Sequence, residues 1–145
     1  MKLKDESATL AFGRKLAHRL QVGDVVTLSG ALSAGKTTLV RGLLGALGHK
    51  GEVPSPSFAI VQPYEELNPP IWHVDLYRIE NASDLDELGL EDIRDDGVLI
   101  VEWPEHAGPD IWPEALALSL EVADNGSRAL TAQVPASWEG RWPPR

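Results

Sequence analysis

The chain predicts an α/β fold in which a mixed central β-sheet is flanked by helices, in three layers. Three observations predict it. Val25-Val26-Thr27-Leu28-Ser29 is a short β-branched run suited to a buried strand, and Val98-Leu99-Ile100-Val101 is wholly apolar, as a strand covered on both faces must be. Between them lies a helical pattern, Thr38 to Gly48, with Leu39, Leu43 and Leu47 at i, i+4 and i+8. Joining the first strand to that helix, residues 30 to 37 read Gly-Ala-Leu-Ser-Ala-Gly-Lys-Thr, a complete G-x-x-x-x-G-K-[ST] loop. Strand, glycine loop and helix together make the fold P-loop NTPase-like. In that arrangement, backbone N–H groups and the positive end of the helix face a polyphosphate. Lys36 reaches the β and γ phosphates, and the Thr37 hydroxyl ligates Mg²⁺.

The remaining elements follow in order. Phe12, Leu16 and Leu20 form an i+4 stripe within residues 7 to 20, an amphipathic helix that Asp5 or Ser7 can cap. Gly23-Asp24 turns the chain into the first strand. Gly48 to Ser57, rich in Gly, Pro and Ser, is irregular. Phe58 to Val61 reads as a strand and Ile71 to Tyr77 as a second, close enough to pair with it as a hairpin. Ser83 to Asp95 is acidic and makes two short helical turns broken at Gly89. Leu116 to Val122 and Ala129 to Val134 form a hairpin across Asp124-Asn125-Gly126. Residues 1 to 134 therefore read as one domain. Pro135 to Arg145 is a Pro- and Trp-containing tail that either docks loosely or is disordered.

Bulk properties narrow the function. At 145 residues the chain fits a single domain with a single core. No run approaches the ~18 apolar residues of a membrane span, and the first six residues lack the apolar core of a signal peptide. With no cysteine, disulfides and thiolate metal sites are excluded, which fits a cytoplasmic protein. A net charge of −9 argues against a phosphate-backbone footprint, so any role in a nucleic-acid pathway runs through a protein partner.

Nucleotide hydrolysis needs a strand-end carboxylate to hold Mg²⁺ and a group to position the attacking water. Asp75, after Trp72-His73-Val74, and Glu102, after Val98 to Val101, both qualify; most of the 22 acids must lie on the surface. Ligands of open α/β sheets sit at the carboxyl ends of the strands, where Glu102 emerges beside Thr37. Trp103 has two readings, a core residue or an aromatic wall over the nucleotide, and a lone tryptophan favours the first.

Several segments occur in a fixed order: Thr9-Leu10-Ala11-Phe12-Gly13, Leu28 to Thr38, Ser55-Pro56-Ser57-Phe58, His73-Val74-Asp75-Leu76-Tyr77-Arg78, Leu88-Gly89-Leu90, and Val101-Glu102-Trp103-Pro104-Glu105. Over residues 7 to 134 the chain resembles the TsaE (YjeE) family of bacterial ATPases, required for the threonylcarbamoyladenosine modification of tRNA. The resemblance implies ATP and Mg²⁺ as cofactors, a slow intrinsic ATPase used as a nucleotide switch, and TsaD and TsaB as protein partners. It implies that Leu32, Ser33, Ala34, Gly35, Lys36 and Thr37 wrap the phosphates, with Thr38 next to them, and that Thr37 and Glu102 hold the metal. It gives Asp75 metal support or water positioning near the γ-phosphate, and makes Lys36, Asp75 and Glu102 the catalytic set. By the same resemblance Glu105 and Arg128 reach the nucleotide, Glu6 lines the base pocket, and Ser57 falls in a loop that senses the γ-phosphate.

Two positions depart from the family pattern. Ser33 stands where glycine is typical; if that residue must take a positive φ, it stores on the order of 1 kcal/mol of strain. Ser33→Gly is then expected to tighten nucleotide affinity, and an unchanged or weaker affinity contradicts the idea. Ser57 stands where threonine is usual, which keeps the hydroxyl and loses the methyl that stiffens χ1. Rival functions are a small-metabolite or nucleoside kinase and a nucleotide-gated adaptor without free-standing turnover. A kinase usually carries an arginine-rich lid, and here eight arginines are scattered with no insert long enough for one. A GTPase would carry a guanine-reading Asn-Lys-x-Asp segment, and none occurs here.

Overall fold

The computed structural model describes residues 1–31, 35–53, 60–80, 82–108 and 111–144. Seven strands form one sheet: β1 (Lys2–Leu3), β2 (Val25–Ser29), β3 (Val61–Tyr64), β4 (Ile71–Asp75), β5 (Val98–Glu102), β6 (Leu116–Val122) and β7 (Arg128–Gln133). Their order is β1-β7-β6-β2-β5-β4-β3. The four inner strands, β6, β2, β5 and β4, run parallel; β7 and β3 run antiparallel to their inner neighbours, so the sheet is mixed as expected.

Helices α1 (Glu6–Ala17) and α2 (Lys36–Ala46) cover one face. There Phe12, Leu16, Leu39 and Leu43 pack on Val26, Leu28, Val98 and Ile100, the alternate residues of their strands. The opposite residues, Val25, Val74, Leu99 and Val101, pack with Trp72, Leu90 and Trp112 beneath two short helices, α3 (Ala82–Asp86) and α4 (Leu90–Arg94). That second layer is partial. Over β6, β7 and the end of β2 it leaves a groove of about 590 Å³, with Thr27, Ser29, Ala117, Ser119 and Thr131 among the residues lining it.

The two long helices approach at backbone distance. A Cβ on Gly13 would lie 2.1 Å from the Leu39 carbonyl oxygen, and one on Gly42 would lie 2.2 Å from that of Leu10. Both glycines are therefore contact points, and any side chain must push the helices apart. Gly42→Ala is expected to cost about 2 kcal/mol or more, as overpacking of a filled core does, seen as a fall of several degrees in Tm. An unchanged Tm would show that the helix pair can shift freely.

Local chemistry sets the boundaries. Asp5 caps α1, its carboxylate accepting from the Ala8 N–H at 2.9 Å. Helix α2 begins at Lys36, two residues before the expected start, because Gly35 takes φ 101° and turns the chain into it. It ends where Gly48, at φ 102°, and His49 donate back to Gly45 and Leu44. Strand β4 stops at Asp75 rather than Tyr77, since the Asp75 carboxylate accepts from the Tyr77 N–H at 2.9 Å and bends the chain. The strand expected over Phe58 to Val61 is instead Val61–Tyr64, and residues 58 and 59 lie outside the described residues. Gly89, at φ 64°, separates α3 from α4, and Gly126, at φ 85°, turns the β6–β7 hairpin.

The tail was expected to dock loosely or be disordered, but its described part, Pro135 to Pro143 and Pro144, joins the body. Trp138 is 1% exposed within the core under α1, and Trp142 meets Phe12 edge to face at 6.0 Å. Arg141 stacks on Trp138 and forms a bidentate pair with Asp24 at 2.7 and 3.1 Å. The packed domain thus runs past residue 134.

Candidate nucleotide site

Parallel register brings the chemistry to one end of the sheet. Strand β5 lies between β2 and β4, with Leu28 opposite Glu102 and Asp75 opposite Glu102. The last residues of β4 and β5 are therefore neighbouring carboxylates, at the carboxyl ends where α/β sheets hold ligands. Asp75 is 5% and Glu102 4% exposed. Both lie on the face that α2 covers, because His73, Asp75, Ile100 and Glu102 share the parity of Ile71 and Val98, which pack there.

Lys36 opens α2 and is 2% exposed. Its ammonium donates to the Gly30 carbonyl at 2.7 Å, stands 3.9 Å from Glu102 Oε1, and lies 4.0 Å from the centre of the Trp103 ring. Burial draws this ammonium below the ordinary lysine range, while Glu102, Asp75 and Glu105 pull in the opposite direction. Trp103 is half-buried at φ 58° and packs beside Tyr77 and His106, at 5.0 and 5.5 Å. It thus roofs the lysine and also packs against the second core.

Gly35 is the N-cap of α2, and among the described residues no side chain caps that helix. A Cβ there would lie 3.4 Å from Arg128 Nε, which is buried and has no hydrogen-bond partner among the described residues. Arg128 opens β7 and donates from Nη1 to the Gly126 carbonyl at 2.6 Å. A buried guanidinium N–H aimed beside a helix mouth suits an anion. Arg128→Ala is accordingly expected to weaken ATP binding about tenfold, on the scale of one charge-assisted hydrogen bond, with the fold intact by circular dichroism. Unaltered affinity would return Arg128 to the hairpin surface.

The remaining expected residues are placed less centrally. Thr37 and Thr38 are half-buried in the first turn of α2. Glu105 is exposed on the 3-10 turn Pro104–Ala107, close enough for its charge to act on Lys36. Glu6, exposed at the start of α1, has Arg41 as its ion-pair partner at 3.9 Å. Leu32, Ser33, Ala34 and Ser57 lie outside the described residues. The cluster brought together is therefore Gly35, Lys36, Asp75, Glu102 and Arg128.

Sequence reasoning assigned nothing to His73, which belongs with them. It is fully buried, and its Nε2 lies 2.5 Å from Glu102 Oε2. The available signal was a lone polar residue inside an apolar strand, two positions before an acid.

Fold and site define a P-loop α/β protein: strand, glycine loop and helix, with two strand-end carboxylates around the loop lysine. Comparison with known proteins makes this specific. The family model for the threonylcarbamoyl adenosine biosynthesis protein TsaE matches residues 3–130. The chain is 43% identical to the tRNA threonylcarbamoyladenosine biosynthesis protein TsaE of Streptomyces coelicolor over 114 residues, covering 77% of each. It is 40% identical to that of Haemophilus influenzae over 119 residues, covering 78% of this chain and 75% of the relative. Its fold matches the crystal structure of Bacillus subtilis YdiB with a TM-score of 0.78 and 29% identity, over 94% of this chain and 85% of that one. The chain belongs to the TsaE family. Among the described residues no helix is long and apolar enough to cross a membrane.

Proposed function

We propose that this protein is a magnesium-dependent ATPase that acts as a nucleotide switch in the threonylcarbamoyladenosine modification of tRNA, working with TsaD and TsaB. The pathway rests on family membership and on the names of the relatives; the partners rest on the family resemblance. The chemistry rests chiefly on one observation, a buried lysine at the start of α2 with two strand-end carboxylates beside it.

The residues suit the nucleotide. The N–H groups of the first turn of α2, the Lys36 ammonium and Arg128 Nε, which has no hydrogen-bond partner among the described residues, would offer a polyphosphate several convergent donors. They suit the metal as well. No group of three or more His, Cys, Asp or Glu among the described residues forms a metal cluster, but magnesium takes few protein ligands and completes its shell with phosphate oxygens and water. Thr37 and Glu102 would hold Mg²⁺, which neutralises charge on the β- and γ-phosphate oxygens. Lys36 would exchange the Gly30 carbonyl for phosphate, and Trp103 shields it from water. Asp75 supports the metal or orients the attacking water. With a single lysine and arginine at the loop, transition-state charge is only partly met, so intrinsic turnover is slow and a partner accelerates it.

Phosphate release from ATP, measured with and without the partner proteins, tests this reading. Slow release by the chain alone and faster release in the complex is the expected result. Release by neither contradicts the ATPase reading, and release only in the complex supports the adaptor.

A further inference from the structure

Lys36 and the two strand-end acids leave His73 unused, although it is fully buried at the middle of β4, a strand with neighbours on both sides. An imidazole placed in an apolar interior is costly unless its nitrogens are paired. Here Nδ1 has no partner, so the ring's hydrogen bonding among the described residues is spent entirely on Glu102. The chemistry of that contact fixes its direction: Nε2–H donates and the carboxylate accepts. In register, His73 faces Ile100 while Glu102 faces Asp75, so the bond runs diagonally across the sheet, the reach that side chains on one face allow.

The two carboxylate oxygens are thereby divided. Oε2 is held by His73, and Oε1 is left facing Lys36 at 3.9 Å, beside the first turn of α2 where Thr37 lies. We infer that His73 is a positioning residue that locks the Glu102 carboxylate toward the phosphate loop, so that one oxygen is always presented to a magnesium ion. This rests on the proposed magnesium–nucleotide reading. A strand residue is well suited to the task, since its ring is fully buried in a strand paired on both sides. Partners of this kind, behind a metal ligand, typically account for 10- to 100-fold in metal affinity.

His73→Gln and His73→Met separate the hydrogen bond from the packing. The two side chains are alike in length and volume, and only Gln carries an N–H near the Nε2 position. ATP binding is titrated against Mg²⁺ and, separately, in EDTA, with melting curves as the folding control. The expected result is a Mg²⁺ requirement raised roughly 10- to 100-fold in His73→Met. Gln should keep the requirement near that of the wild type, and both variants should bind metal-free ATP normally. An unchanged requirement in the Met variant, or equal shifts in the two, overturns the inference, since packing alone would move them together. If the Met variant does not fold, Gln decides alone: a wild-type requirement supports the lock and a tenfold rise refutes it. Wild-type binding indifferent to Mg²⁺ refutes the proposed function itself, and the lock with it.

Discussion

Lys36→Ala should abolish tight ATP binding. In the folded chain this ammonium is a fixed cation at the mouth of α2, and it is already desolvated, with Gly30 as its hydrogen-bond acceptor and Trp103 over it. Phosphate oxygens would replace a single neutral carbonyl as acceptors, a gain made in a low-dielectric site where charge pairs act strongly. Removing one member of such a buried pair costs about 3 kcal/mol, so affinity should fall at least about 100-fold. The variant should stay folded, because Glu102 keeps its bond to His73. Isothermal titration of the folded variant checks this, and wild-type affinity would remove Lys36 from the site.

Glu102→Ala should act on the metal-dependent step. The carboxylate is 4% exposed and shared between His73 and Lys36. Its loss removes the strand-end oxygen proposed for Mg²⁺, and Lewis-acid stabilisation is worth several kcal/mol in phosphoryl transfer. Turnover should therefore drop by roughly 100-fold or more, while ATP binding in EDTA stays within about threefold, since Lys36 keeps its ammonium and its Gly30 acceptor. Phosphate release measured across Mg²⁺ concentrations distinguishes the outcomes. An unaltered magnesium dependence would assign Glu102 to holding His73 and Lys36 in place.

Much of this was legible in the chain because the decisive signals are local. The phosphate loop is a contiguous pattern, and its flanks carry periodicities that name strand and helix without any long-range information. Val98 to Val101, apolar on both sides, could only be a central strand, and Glu102 at its end followed directly. The Asn-Gly signal likewise placed the β6–β7 hairpin.

What stayed hidden depends on partners distant in sequence. Lys2 and Leu3 form a strand because β7 offers an edge, with the Met1 ammonium donating to the Leu130 carbonyl, and two residues carry no period of their own. The tail's order comes from Asp24, more than a hundred positions upstream of Arg141, and from Phe12 beneath Trp142. For Arg128 the family resemblance alone points to the nucleotide; its own residue context is that of a hairpin arginine, and β7 is what brings it against Gly35. His73 reads as one more strand residue, and its meaning appears only once the parallel register sets it diagonally to Glu102. Strand boundaries shifted for a smaller reason: a side chain at the end, as at Asp75, can capture a backbone N–H and stop the ladder.

In the proposed function the first-turn amides of α2 and the Lys36 ammonium hold a triphosphate. A crystal structure with Mg²⁺ and a non-hydrolysable ATP analogue tests it most directly. The expected result is phosphate density at Gly35 to Thr37, with Lys36 Nζ turned from the Gly30 carbonyl to a phosphate oxygen and Mg²⁺ beside Glu102. Analogue bound elsewhere, with Lys36 still on Gly30, would contradict it.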